Sequence, residues 1–159
     1  MSLPLAGNRL GDPLGAPLGD LIGTLHLPLV LETKALAATQ RQLAVFLATG
    51  GCASDVRFRV ELVVEEVVMN VIRHAHPQGA THAALHARCA DGQAAIAIED
   101  DGPAFDPLAA PLRPLEGALV GNHEGGFGLH LIRRHSDAAQ YARSEGLNRL
   151  ELEFGPRPA

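Results

Sequence analysis

One stretch of this chain limits its fold more than any other. Between residues 56 and 74, Val60, Val63, Val64, Val67, Val68, Val71 and Ile72 recur at the three-to-four spacing of a helix with a wide buried face. Valine is a weak helix former, so such a helix persists only where tertiary packing covers that face. Ser54 or Asp55 stands where an N-cap would sit, and Pro77 and Gly79 end the run. Glu66, Asn70 and His74 fall at i, i+4 and i+8, in line beside the apolar stripe. Burying such polar groups without partners is costly. They are therefore either a solvated margin of the buried face or the side chains that meet a ligand.

The rest of the chain supplies a sheet for that helix to cover. Residues 24–30 alternate loosely and predict a strand, 31–49 a helix stopped by Gly50-Gly51, and 81–88 and 93–100 two strands joined at Asp91-Gly92. A proline- and glycine-bearing stretch follows over 102–125, the length of a lid or binding loop. A short helix over 126–136 and strands over 138–143 and 147–154 complete the order, with a turn at Ser144-Glu145-Gly146. Helices grouped on one face of a mostly antiparallel sheet make an α+β, two-layer sandwich. Residues 1–23, with Gly, Pro and Leu in near-repeat, have neither periodicity and are expected to form a mobile tail, so the domain spans 24–155.

Composition narrows the function classes. With 159 residues the chain has room for one domain. Its net charge of −5 gives no basic footprint for nucleic acid, and 4% aromatics with no Trp give few stacking platforms. It has no apolar run near the roughly 18 residues of a membrane span and no signal-like start, so a cytoplasmic protein is expected. Cys52 and Cys89 form no motif and read as reduced structural residues. Of the eight histidines, His82 and His86 share one face of a predicted strand, but no cysteine or carboxylate pattern completes a zinc site. A small ligand or a protein partner remains.

Two further segments carry chemistry. The strand over 93–100 ends in Asp100-Asp101-Gly102, which sets a carboxylate at the sheet edge beside a residue that admits close approach. Such a carboxylate can accept from an exocyclic amine, although acidic turns after strands are common. Gly125-Gly126-Phe127-Gly128-Leu129 opens an amphipathic helix whose free N–H groups form an anion site. It is neither a Walker A loop nor a dinucleotide-binding fingerprint, and glycines also serve ordinary helix entries.

Taken together, Glu66-x-x-x-Asn70, Asp100-Asp-Gly102-Pro-x-Phe-Asp-Pro107 and Gly125-Gly-x-Gly128-Leu129 resemble the three nucleotide boxes of the GHKL (Bergerat-fold) ATPases. They resemble most closely the anti-sigma-factor serine/threonine kinases, as does the ending Asp137-x-x-x-Tyr141-x-Arg143-x-x-Gly146-x-Asn148. The likeness runs from about 24 to 154. It implies a Mg²⁺-dependent, ATP-using protein kinase that sequesters a sigma factor and phosphorylates an antagonist protein, as a homodimer in that family's manner. It further implies Asn70 as the Mg²⁺ ligand, Glu66 as general base, Asp100 as the adenine-reading carboxylate and Gly102 beside the base. Gly125, Gly126, Gly128 and Leu129 would close over the phosphates, Asn148 would help hold adenine, and a lid would span about 106–125. Ala104 replaces the second glycine of the general pattern, and Glu124 stands directly before the glycines. A nucleotide-dependent binding module without transfer is the alternative.

Overall fold

In the computed structural model, residues 23–109 and 127–159 are described. The N-terminal tail, most of the lid, Gly125 and Gly126 lie outside them. Strand β1 (Thr24–Pro28) leads through a 3₁₀ turn (Thr33–Ala35) into helix α1 (Leu36–Thr49) and then α2 (Ser54–Asn70). The hairpin β2 (Ala83–Ala90) and β3 (Gln93–Asp100) follows, then α3 (Phe127–His135), β4 (Ala138–Ser144) and β5 (Leu147–Phe154). The strands order as β1-β2-β3-β5-β4, with every neighbouring pair antiparallel. Both hairpins close through two-residue turns with positive φ at each position, 52° and 78° at Asp91-Gly92 and 52° and 81° at Glu145-Gly146. Those values match the right-handed twist of the flanking strands.

Along β5, Asn148, Leu150, Leu152 and Phe154 are buried and alternate with partly exposed residues. That buried side joins Leu85, Ile96 and Ile98 of the neighbouring strands in one core with Leu43 and Leu47 of α1, the α2 valines and Ile132 of α3. The two-layer α+β sandwich expected from the sequence is the one observed. Val56, Val60, Val63 and Val64 are fully buried. Each loses roughly 0.5 kcal/mol of helix propensity relative to alanine and gains about 1.5–2 kcal/mol from burial, so packing decides the conformation.

The structure departs from the sequence expectation at several ends. The first turn before α1 is 3₁₀ rather than α. Neither Ser54 nor Asp55 caps α2: the N-cap is Ala53, without a side-chain bond, and the Asp55 carboxylate bonds Arg59 instead. The expected helix to His74 is α-helical only as far as Asn70. Val71–Ala75 widens into a π turn, with the His76 N–H bonded back to the Val71 carbonyl, and a 3₁₀ turn (His76–Gln78) ends it. Pro77 has no N–H to continue an α ladder. The strand expected from residue 81 begins at Ala83, because the Asp101 carboxylate takes the N–H groups of Thr81 and His82, both at 2.8 Å. His82 therefore lies outside β2, and His86 meets His26 of β1, Nδ1 to Nδ1 at 3.1 Å.

Candidate nucleotide-binding site

A cavity of about 520 Å³ opens where α2, α3 and one end of the sheet meet. Val67, Asn70, Val71, His74 and Ala75 form one wall, Ile98, Asp100, Tyr141, Asn148 and Leu150 the floor, and Gly128, Leu129 and Ile132 the opposite wall. Its volume lies within the range of small-ligand sites. The π turn matters here, because such turns widen a helix locally and occur often at functional sites. It carries His74 and Ala75, and His74 lines the cavity together with Asn70, as their i, i+4 spacing expects.

The polar part of the floor is organised by Asn148, which is 6% exposed. Its Oδ1 accepts from Tyr141 Oη at 2.7 Å, Arg143 Nη1 at 2.8 Å and the Phe105 N–H at 3.4 Å. Its Nδ2 donates to Asp100 Oδ1 at 3.0 Å and to the Pro103 carbonyl at 2.9 Å. Donors on one side and acceptors on the other allow a single amide orientation. Asp100 Oδ1 also accepts the Gly102 N–H at 2.9 Å. Its Oδ2 takes no hydrogen bond from a described residue and remains an acceptor at the cavity.

Gly102 itself does not line the cavity; it lies behind the floor. A Cβ there would come within 2.8 Å of both Ala75 Cβ and Asp100 Oδ1, so no side chain fits between α2's extension and the carboxylate. Gly128 plays a matching part at the other wall. A Cβ on it would lie 2.9 Å from Asn70 Nδ2 and 3.9 Å from Glu66 Cβ. The start of α3 thus rests directly on the polar side of α2. Among the described residues, neither Glu66 nor Asn70 has a side-chain hydrogen bond or ion pair.

Of the positions singled out in the sequence, Asn70, Asp100, Gly128, Leu129 and Asn148 line the cavity. Glu66 is half-buried one turn before Asn70 and does not line it. Tyr141 and Arg143, quoted above only for their resemblance, hold Asn148. Their signal was available: they alternate on β4, and Arg143 is the register partner of Asn148. Arg59 was missed. It is 5% exposed and binds the His135 carbonyl, Asp55, Asp137 and the Gly155 carbonyl, so it ties α2 to the end of α3 and to the open end of the β4–β5 pair. Arg59 and Arg157 supply the donors for the last carbonyls of α3.

A model of the histidine kinase-like ATPase domain matches residues 29–154. This chain belongs to that family. The histidine kinase-like ATPase domain is an ATP-binding one, and the cavity lies within the matched span. The sequence is also 35% identical over 108 residues to the serine/threonine-protein kinase BtrW of Bordetella bronchiseptica, covering 67% of this chain and 75% of that protein. The fold is similar to a crystal structure of the RsbU and RsbW domains of Rv1364c from Mycobacterium tuberculosis, with a TM-score of 0.59 and 20% identity. That match covers 86% of this chain and 33% of the larger protein, and it bears on the fold alone. The resemblance to the GHKL ATPases and the anti-sigma-factor kinases read from the sequence is borne out at the level of the family. Among the described residues, no helix is long and apolar enough to cross a membrane.

Proposed function

We propose that this histidine kinase-like domain is an ATP-dependent protein serine/threonine kinase that sequesters a sigma factor and phosphorylates a small antagonist protein. The observation that carries the reading is the meeting of Asn70 with Gly128, which sets an unpartnered carboxamide against the first turn of α3. That turn offers N–H groups and the positive end of the helix dipole to phosphate oxygens. Among the described residues, no Lys or Arg lines the cavity. Neutralising a triphosphate then falls to the α3 terminus and a divalent cation, which suits Asn70 Oδ1 as the Mg²⁺ ligand.

The residues fit ATP at the other end as well. Asp100 Oδ2 is the acceptor for the adenine amine, with Asn148 fixing the carboxylate and Gly102 allowing its close packing against Ala75. Gly128 and Leu129 line the cavity, and in this reading Gly125 and Gly126 bind the phosphates with them. Bound Mg²⁺ would neutralise charge on the phosphates as the terminal group is transferred. In this reading Glu66, one helical turn before Asn70, accepts the proton of an incoming serine hydroxyl. Positioning and charge neutralisation carry most of the catalysis of phosphoryl transfer, so the base needs reach more than an unusual pKa. The name of the Bordetella relative supports serine/threonine transfer, and the acidic net charge of −5 supports protein rather than nucleic-acid partners. A homodimer in the cytoplasm is part of the same proposal.

One observation favours a second reading. Glu66 lies outside the cavity lining, as it would in a nucleotide-dependent binding module that transfers nothing. Incubation with radiolabelled ATP, Mg²⁺ and the antagonist encoded nearest the gene separates the two. Label on an antagonist serine supports the kinase; ATP binding without label leaves the module.

A further inference from the structure

Cys52 and Cys89 are remote in sequence, and the fold sets them side by side. Cys52 follows the Gly50-Gly51 turn, with its N–H bonded to the Leu47 carbonyl at 3.0 Å. Cys89 is the penultimate residue of β2, opposite Ala94 of β3. The turn rests directly on it: a Cβ at Gly50 would lie 2.8 Å from Cys89 Cβ and 3.1 Å from Cys89 Sγ. Cys52 Sγ reaches the Gln93 carbonyl at 3.4 Å, and the Ala53 N–H bonds the Gly92 carbonyl at 3.0 Å. Both thiols are free, and each shifts the ionisation of the other. Neither lines the nucleotide cavity, which lies at the other end of β3.

The two sulfurs are unequal. Donation from Cys89 draws the Cys52 thiol below its ordinary range, against the effect of its burial and with help from Arg57. The same bond, together with burial, pushes Cys89 upward. A sulfur that favours the thiolate therefore sits beside one that keeps its proton, the division of roles between an attacking and a resolving cysteine.

We infer that Cys52 and Cys89 form a reversible intramolecular disulfide when the protein meets a peroxide. The Cys52 thiolate attacks one oxygen of hydrogen peroxide, the O–O bond breaks, and the departing hydroxide takes up a proton to leave as water. Cys52 is then a sulfenic acid. The Cys89 sulfur attacks it, the S–O bond breaks, and the hydroxyl leaves with the Cys89 proton as a second water. Two thiols are oxidised by two electrons and one peroxide is reduced to two waters. Cys52 is only 7% exposed, which suits an oxidant as small as peroxide. The bridge would fasten the α1–α2 turn to the sheet, and a dithiol reductant would restore both thiols. This inference does not depend on the nucleotide-site reading.

The test is limited peroxide treatment of the full chain, followed by alkylation, non-reducing electrophoresis and peptide mass spectrometry. The expected product is a monomer lighter by two hydrogen atoms, with a Cys52–Cys89 linked peptide that dithiothreitol separates. In Cys89→Ser, which keeps a hydrogen-bond donor but no thiol, dimedone should trap the Cys52 sulfenic acid. In Cys52→Ser, loss of the remaining thiol should be about tenfold slower than in Cys89→Ser, because the acidified sulfur is gone. Free glutathione in the same tube reports that oxidant is present. Alkylation of both cysteines after that glutathione is oxidised overturns the inference. So does sulfinic acid at Cys52 with Cys89 still alkylated, or a disulfide between two chains.

Discussion

Asp100 and Asn148 are register partners across β3 and β5, and Asn148 Nδ2 donates to Asp100 Oδ1 at 3.0 Å. One oxygen of the carboxylate is thereby committed to the protein, since it also takes the Gly102 N–H at 2.9 Å. The other faces the cavity as an acceptor. Adenine and guanine differ at the position such an acceptor reads, because the first carries an amine donor and the second a carbonyl.

In Asp100→Asn, the two donors that meet Oδ1 will hold the amide oxygen there and turn the amide nitrogen toward the ligand. A donor then faces the adenine amine. ATP affinity should fall by roughly 5- to 150-fold, about 1–3 kcal/mol for a buried polar group left without its partner, while GTP gains. Calorimetry with both nucleotides checks this. An unchanged preference for ATP would remove Asp100 from base reading.

Gly128→Ala should separate folding from binding. Alanine improves on glycine within a helix by up to about 1 kcal/mol, so the urea midpoint should hold or rise. The new methyl would stand 2.9 Å from Asn70 Nδ2 and must displace that carboxamide. Affinity for Mg²⁺–ATP should drop, and Asn70→Ala should abolish the Mg²⁺ dependence of binding. Calorimetry with and without Mg²⁺ measures both, and equal affinities in parent and Asn70→Ala would sink the metal-ligand role.

Glu66→Gln retains shape and an amide oxygen but cannot take the serine proton. Transfer should fall by roughly 10²–10⁴, with nucleotide affinity close to the parent value because the lost step is made in the transition state. A single-turnover rate within about threefold of the parent, against that expected loss, would leave the binding-module reading.

Much of this site was legible before any coordinates. Glu66 and Asn70 sit at helical spacing beside a valine face, and β3 and β5 run over the residues expected. What the sequence concealed depends on contacts between distant elements. The π turn at Val71–Ala75 is invisible to a 3.6-residue period, and the α ladder stops at Asn70. Arg59 reads locally as a charge on a solvated side, because all but one of its partners lie at least 76 residues away. Cys52 and Cys89 lack motif spacing and meet only because the α1–α2 turn packs on the end of β2.

The Arg59 cluster should govern acid stability. Burial opposes ionisation of Asp137, yet the Gly155 N–H and Arg157 hold its carboxyl below the usual range. A depressed carboxyl stabilises the fold above its unfolded pKa of about 3.9 and loses that contribution as pH falls through the folded value. Asp137→Asn should therefore lower the urea midpoint at neutral pH, with the gap to the parent closing below about pH 4. Arg59→Met should cost about 3 kcal/mol, since it strands buried acceptors. Parallel unfolding curves for the parent and Asp137→Asn, separated equally at neutral and acid pH, would exclude the linkage.

Arg59 and Arg157 grip α3 at its last carbonyls, whereas Gly128 near its other end packs on the Asn70 and Glu66 side of α2. The helix is clamped at His135, and its other end forms a wall of the cavity. Any tilt about the clamp moves Gly128 most and the β4 junction least. The stiffness of that wall of the cavity is therefore set about 10 Å away, the rise of the roughly seven residues from Gly128 to His135, by an arginine that does not line the cavity.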